Sequence, residues 1–160
     1  MQRLYTPEQT IRLAEMWREQ GRSIVFTNGC FDLLHRGHLH LLNEALHRGD
    51  RLIVAVNCDE YVRSHKGPGR PVQTAAVRAT MVALMSAADV VTVFHGDSPV
   101  ELLQAVRPEC YVLGSDYREC EISGAGYCDE VILVERLEGF STTATISERN
   151  LSNRASAVVV

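Results

Sequence analysis

The sequence "TNGCFDLLHRGHLHLL", Thr27 to Leu42, runs from the end of an apolar segment into the start of an amphipathic one. The residues before it, "SIVF", together with Thr27 form a β-branched and aromatic run closed by Gly29, which is typical of a buried strand. From Arg36 to His47, Leu39, Leu42, Ala45 and Leu46 recur at helical spacing, and the pattern ends at Gly49. The sequence therefore predicts a strand, a glycine-containing turn and a helix.

The same alternation of strand and helix continues on both sides of this stretch. Thr6, Pro7 and Gln9 form a capping-box pattern that predicts an N-terminal helix ending at Gly21. A helix is predicted from Thr74 to Ala88, with Val77, Met81, Leu84 and Met85 on one face. The other predicted elements are the strands "RLIVAVN", "VVTVFH", "CYVLGSD" and "EVILVER", a short helix from Asp59, a helix through "SPVELLQAV" and a last helix near "STTATISE".

This alternation predicts a single Rossmann-like, doubly wound α/β domain with a five-stranded parallel sheet of order 3-2-1-4-5 and helices on both faces. We expect residues 1–22 to pack on the domain as an N-terminal helix, residues 23–150 to form the domain, and residues 151–160 to be a flexible tail. Ligands of such folds bind at the carboxyl ends of the strands. The polar residues that follow each strand, in the ranges 27–32, 57–59, 95–97, 114–117 and 136–143, are therefore expected to converge.

The composition limits the classes of partner. The chain has 160 residues, of which 46% are apolar and 22% charged, as in a globular domain. A formal charge of -4 provides no long-range attraction for nucleic acid or an anionic membrane. No apolar run approaches the roughly 20 residues of a membrane span, and the N-terminus lacks the pattern of a signal peptide. We therefore expect a cytoplasmic protein that binds small molecules, with no nucleic-acid or membrane partner.

The cysteines and the lysine are informative for different reasons. The five cysteines include no Cys-x-x-Cys pair and no zinc-finger spacing, which predicts reduced thiols and indicates no structural metal.

Of the 16 basic residues only Lys66 is a lysine, in the glycine-containing loop "HKGPGRPV". A lysine is a compact, movable charge that suits a reacting phosphate, whereas a solvated loop lysine is the simpler alternative.

His35 and His38 lie three residues apart at the opening turn of the predicted helix, on one face. The helix N-terminus adds unpaired N–H groups and the positive end of the helix dipole, so the two imidazoles would line an anion pocket. Gly37 leaves space for close approach of a ligand. The simpler alternative is one capping and one surface histidine. A zinc site would need a third ligand, and none stands at convincing spacing.

Four motifs in sequence order resemble one enzyme family. "GCFDLLHRGH" resembles the signature of nucleotidyltransferases with the HxGH motif, in the form used by cytidylyltransferases and heptose-phosphate adenylyltransferases. "KGPGRPV", "GSDY" and "EGFSTTATI" resemble the KGxxRPV, GGDY and G-x-STTxI motifs of the same branch. The resemblance covers residues 23–147. The chain is most similar to the domain type that adenylylates D-glycero-D-manno-heptose 1-phosphate, as in ADP-heptose synthases.

The resemblance implies a set of roles. His35, His38 and Lys66 would be catalytic, by contacting the triphosphate and the reacting phosphates. Asp32, Asn57 and Arg70 would bind the acceptor. Mg²⁺ would be the cofactor, held mainly by the triphosphate and not by a dedicated protein site, and the chain would form a homodimer. The residues implied to bind the nucleotide are Thr27, Asn28, Gly29, Cys30, Phe31, Gly37, Asp116, Arg136, Ser141, Thr142 and Thr143.

Two departures from the heptose pattern keep other functions open. Leu113 in "VLGSDY" stands where heptose enzymes commonly have a lysine, and Arg136 in "ERLEGFSTT" resembles the arginine of glycerol-3-phosphate cytidylyltransferases. The expected reaction is transfer of a nucleotidyl group from ATP to heptose 1-phosphate, with release of pyrophosphate. The alternatives are a cytidylyltransferase for glycerol 3-phosphate or another polyol phosphate, and, in a different class, a nucleotide-binding module without turnover.

Overall fold

The computed structural model describes residues 3–85, 87–115, 122–135, 137, 139, 142 and 146. A short 3-10 turn, Ala125–Tyr127, precedes the last strand. The helices are α1 Pro7–Glu19, α2 Arg36–Leu46, α3 Asp59–Lys66, α4 Ala75–Leu84 and α5 Val100–Val106. The strands are β1 Ile24–Gly29, β2 Arg51–Asn57, β3 Val90–Phe94, β4 Cys110–Gly114 and β5 Glu130–Val134.

The five strands form one parallel sheet in the order β3-β2-β1-β4-β5. The predicted fold class and strand order are therefore confirmed. The order reverses direction at β1, because β2 and β3 lie on one side of it and β4 and β5 on the other. The loop after β1 thus lies at the point where parallel α/β sheets bind ligands.

Alternate residues of the strands point into two apolar layers, one on each face of the sheet. On one face Leu42 and Ala45 of α2 and Ala79 and Val82 of α4 pack against the sheet. On the other face α1 and α5 cover it, with Ala14 and Trp17 of α1 in the core. Both faces of the strands are buried, which explains their uniformly apolar sequences.

The N-terminal segment contributes both a helix and a strand-like contact. The predicted capping box of α1 is present, because the Thr6 hydroxyl accepts from the Gln9 N–H and the Gln9 side chain accepts from the Thr6 N–H. Leu4 also forms a parallel bridge with Val91 of the edge strand β3, which the sequence pattern did not indicate. Backbone pairing covers part of that edge.

The helix patterns locate α2 and α4, but they do not predict which residues are buried. α4 ends at Leu84, with Met85 as its C-cap, and so is shorter than the predicted range of 74–88. Its apolar residues Val77, Met81 and Leu84 are 44%, 42% and 73% exposed, and the helix buries Arg78, Ala79 and Val82 instead. Within the described residues, no helix combines the length and hydropathy that a membrane span requires.

Candidate active site

His35 and His38 form a stacked pair at the start of α2. Their ring centroids are 3.8 Å apart with the planes inclined by 23°. His35 is the N-cap residue, and its Nδ1 accepts a hydrogen bond from the Gly37 N–H at 3.2 Å. His38 Nδ1 accepts from the His35 N–H at 3.4 Å. Because both Nδ1 atoms are acceptors, each neutral ring carries its proton on Nε2, where it can donate to an anion.

The loop of residues 30–35, called the histidine loop below, has an uncommon backbone conformation. Phe31 and Leu33 have φ values of 50° and 53°, in the left-handed region that non-glycine residues seldom adopt. The Phe31 ring is buried and lies 5.3 Å from the His38 ring, centroid to centroid. A Cβ at Gly29 would lie 3.2 Å from the Phe31 ring, so glycine lets that ring pack there. The strained loop thus places the buried Phe31 ring beside the His38 ring.

Asp32 connects this loop to the loop that follows Lys66. Its buried carboxylate accepts from Arg70 Nε at 2.8 Å, from the Val72 N–H at 3.0 Å and from the Gln73 N–H at 3.1 Å. Both oxygens are therefore occupied by donors of residues 70–73. The contact of Asp32 and Arg70 with an acceptor substrate remains a prediction, and the two residues also pair with each other to hold the loop in place.

Lys66 is the last residue of α3 and is exposed. It lies close enough to Cys30 to act on that thiol. Burial raises the pKa of Cys30, while the positive charges of Lys66, Arg78 and Arg70 oppose this rise. The charges of these three cations therefore act on Cys30, which directly follows β1. Arg78 is fully buried and Arg70 is paired with Asp32, so the exposed Lys66 is the member of this group that can contact a phosphate chain directly.

Arg78 is fully buried and was not singled out by the sequence analysis. Its guanidinium donates to the Cys30 carbonyl, to the Asn57 carbonyl at 2.8 Å, to the Gln73 carbonyl at 3.0 Å and to Asp59 Oδ1 at 2.7 Å. One side chain of α4 thus fixes the ends of β1 and β2 and the start of α3. No local pattern indicates this role, since Arg78 lies in an ordinary amphipathic sequence.

An open cleft lies at the carboxyl ends of the strands. The Asn28 side chain accepts a hydrogen bond from the Tyr111 hydroxyl at 2.5 Å, and both residues contribute to its wall. Burial raises the pKa of Tyr61, another lining residue, with Cys30 and Asp97 adding to the rise. The predicted convergence is therefore seen for three strand ends. The lining residues are Asn28, Asn57, Tyr61, Asp97, Ser98, Pro99, Tyr111, Leu113, Ile122 and Ser123.

The remaining predicted nucleotide-binding residues are placed differently. Thr27 is fully buried in β1, so its hydroxyl is not at the cleft surface. Thr142 donates from Oγ1 to the Asp32 carbonyl at 2.5 Å, which brings the last motif to the histidine loop. Asp116, Arg136, Ser141 and Thr143 lie outside the described residues, and their roles remain predictions.

The cytidylyltransferase-like family model matches residues 26–148. The chain belongs to the cytidylyltransferase-like family. The resemblance found in the four motifs is thereby confirmed, and the strand order and histidine loop described above lie within the matched range.

Curated relatives and a solved structure agree with this assignment. The bifunctional protein HldE of Acidiphilium cryptum is 44% identical over 151 residues, which cover 92% of this chain and 31% of the relative. HldE of Caulobacter vibrioides is 46% identical over 147 residues, or 89% of this chain and 30% of the relative. This chain therefore spans less than a third of either relative. The crystal structure of the lipopolysaccharide core biosynthesis protein from Thermoplasma volcanium is 26% identical, with a TM-score of 0.66, and covers 74% of this chain and 100% of that one.

Proposed function

We propose that the protein is a nucleotidyltransferase that transfers AMP from ATP to D-glycero-D-manno-heptose 1-phosphate, giving ADP-heptose and pyrophosphate. The observation that carries the proposal is the stacked pair of His35 and His38, with Nε2–H groups at a helix N-terminus and Lys66 nearby. The motif resemblance to ADP-heptose synthases and the similarity to HldE proteins favour the heptose substrate.

The chemistry requires charge stabilisation more than proton transfer. An oxygen of the sugar phosphate attacks the α-phosphorus of ATP, and the bond from that phosphorus to the bridging oxygen breaks. The electron pair leaves with pyrophosphate. Because the second pKa of a phosphate is about 6, the attacking oxygen is already ionised near neutral pH and needs no general base. Catalysis then depends on alignment and on donors aimed at the developing negative charge.

Each group of site residues has its own part in stabilising the negative charge and aligning the substrates. The Nε2–H groups of His35 and His38 donate to phosphate oxygens, and the helix N-terminus adds backbone N–H groups. Lys66, at the end of α3, neutralises charge on the reacting phosphates. Arg78 and the pair of Asp32 and Arg70 hold in place the loops next to the histidines and Lys66.

Mg²⁺ is part of the proposal, as an ion held mainly by the triphosphate. When bound, it neutralises phosphate charge as a Lewis acid. Asp32 does not fit the role of a ligand, because its oxygens accept from Arg70, Val72 and Gln73. Asp97 is exposed at the cleft and fits better, since Mg²⁺ prefers carboxylate oxygens beside substrate phosphates.

The proposal also includes a homodimeric state and a cytoplasmic location. The exposed residues Val77, Met81 and Leu84 lie on one face of α4, a helix that has no acidic residue and whose only basic residue, Arg78, is buried. An uncharged apolar face can meet a second copy of itself without charge repulsion. The cytoplasm supplies the nucleoside triphosphate that the reaction consumes.

The test is pyrophosphate release with Mg²⁺ and ATP, CTP, GTP or UTP, each paired with heptose 1-phosphate or glycerol 3-phosphate. We expect turnover with ATP and heptose 1-phosphate that falls by at least about 100-fold in Lys66→Ala. Arg63→Ala, an exposed cation on the same helix, is the matched control and should retain activity. Turnover with CTP alone would assign the polyol branch, which the sequence "ERLEGFSTT" around Arg136 resembles. Nucleotide binding without turnover for any pair would indicate a binding module.

A further inference from the structure

A second group of chemically distinct side chains lies at the ends of β2 and β3. Cys58 Sγ, a carboxylate oxygen of Glu60 and a ring nitrogen of His95 all lie within 4.8 Å of one another. None of the three is among the residues assigned to nucleotide or acceptor binding. Their mixture of sulfur, nitrogen and oxygen donors is that of a zinc-type site.

The backbone brings the three residues together and holds two of them in fixed register. The Cys58 N–H donates to the Phe94 carbonyl at 3.2 Å, so Cys58 and His95 follow directly from paired strand ends. Cys58 is also the N-cap of α3, which places Glu60 in the first turn of that helix. The group therefore depends on the sheet and on α3 together, not on a single flexible loop.

Burial and exposure are arranged as a metal site requires. Cys58 is 4% exposed, whereas Glu60 and His95 are exposed and leave a path for the ion to enter. In a tetrahedral site with metal–ligand distances of about 2.0–2.3 Å, ligand atoms lie about 3.5 Å apart. Small rotations of the two exposed side chains would close the observed spacing to that value.

Cys58 must lose its thiol proton to act as a ligand, because metals bind the thiolate and not the thiol. Binding exchanges the proton of Cys58 for the metal and releases it to solvent.

We propose that Cys58, Glu60 and His95 bind a zinc-type divalent cation, with a fourth position left for water or a ligand. The cation would be separate from the Mg²⁺ of the triphosphate, because thiolate and imidazole donors select the softer metals. It would fix the start of α3 against the end of β3, and α3 ends at Lys66. It would also lie beside the cleft, since Asn57 and Asp97 flank the group along the chain. The spacing of these residues in the sequence, 58, 60 and 95, gave no such indication.

The test is a titration of the metal-free, reduced 160-residue chain with Co²⁺, whose absorption reports thiolate ligation. We expect one Co²⁺ per chain, a thiolate-to-cobalt charge-transfer band in the near ultraviolet, and displacement by Zn²⁺ but not by excess Mg²⁺. Cys58→Ser should abolish the band, and His95→Ala and Glu60→Gln should each weaken Co²⁺ binding by at least about tenfold. Cys128→Ser and His47→Ala, which remove a free cysteine and an exposed histidine elsewhere, should leave binding unchanged.

Several results would overturn the site. Absence of the charge-transfer band, its survival in Cys58→Ser, or unchanged affinity in both His95→Ala and Glu60→Gln would each do so. His95 and Glu60 are exposed, so their substitution should leave the fold intact and decide the matter even if Cys58→Ser fails to fold. Because the readout is absorption by a bound ion and not turnover, it is independent of whether the nucleotidyl transfer proposed above is correct.

Discussion

Asp32 and Arg70 form an ion pair of 2.8 Å whose side chains are 0% and 14% exposed, and this pair joins the histidine loop to the loop after Lys66. Val72 and Gln73 add backbone N–H donors to the same carboxylate. A single buried carboxylate thus holds together the loop before His35 and the loop after Lys66.

Removing this carboxylate should destabilise the protein. Asp32→Ala leaves Arg70 and two backbone N–H groups without their acceptor, and breaking a buried pair costs about 3–5 kcal/mol. Urea unfolding measures the effect. Glu44→Ala, which removes an exposed helical pair with Arg48, should cost no more than about 0.5 kcal/mol. A loss of less than about 1 kcal/mol for Asp32→Ala would contradict the anchoring role.

The stacked histidines allow structure and activity to be separated. His35→Asn keeps a side-chain acceptor for the Gly37 N–H at the N-cap, where asparagine is favoured, but it removes the Nε2–H donor. We expect unfolding free energy within about 1 kcal/mol of the original protein and at least about 100-fold less pyrophosphate release. His47→Asn, at the C-terminal end of the same helix, is the control. Equal activity of the two variants would show that His35 only caps the helix.

Arg78 should matter more for stability than any exposed arginine. Arg78→Met fills the space but leaves the Cys30, Asn57 and Gln73 carbonyls and Asp59 without their common donor, and we expect a loss of at least about 3 kcal/mol. Thermal or urea unfolding gives the value. Arg12→Met, on the exposed surface of α1, should change stability by less than about 0.5 kcal/mol. Similar losses for the two variants would be evidence against the bridging role.

The sequence predicted the sheet and its order because local rules determine them. Each strand is a short apolar run, each helix has a cap or a glycine at its end, and right-handed crossovers then leave few topologies. The histidine pair was also predictable, since its geometry depends on a single helix turn.

The roles of Asp32, Arg70 and Arg78 were not predictable in the same way. Asp32 pairs with residues about 40 positions away, and nothing local distinguishes Arg78 from 14 other arginines. Long-range partners also explain why the apolar face of α4 is exposed. The side of the helix that carries Arg78 faces the interior, where the guanidinium reaches three carbonyl groups, so the opposite side faces solvent. Periodicity identifies a helix, but long-range polar partners decide which side is buried.

Cys110 should make stability depend on pH in the alkaline range. Burial, with Glu130 as the next cause, raises the pKa of Cys110 from 9.0 to about 11. Because the folded pKa is the higher one, the stabilisation is complete below pH 9 and is lost as pH rises through about 11. We expect the original protein to lose roughly 2 kcal/mol of stability through Cys110 between those pH values, and Cys110→Ala, which has no thiol at this position, to show no such loss. The measurement is the difference in unfolding free energy between the two proteins at several pH values. A difference that is constant from pH 8 to 11 would contradict the shifted pKa.

The exposed apolar face of α4 predicts how a dimer would respond to charge. Leu84 is 73% exposed, so Leu84→Glu should leave the monomer folded, yet in a symmetric dimer it would bring two carboxylates to one interface. We expect sedimentation equilibrium to show a dimer for the original protein and at least about tenfold weaker association for Leu84→Glu. Leu46→Glu is the matched control, because Leu46 is a 42% exposed leucine at the end of α2. A monomeric original protein, or equal weakening by the two substitutions, would exclude α4 as the contact surface.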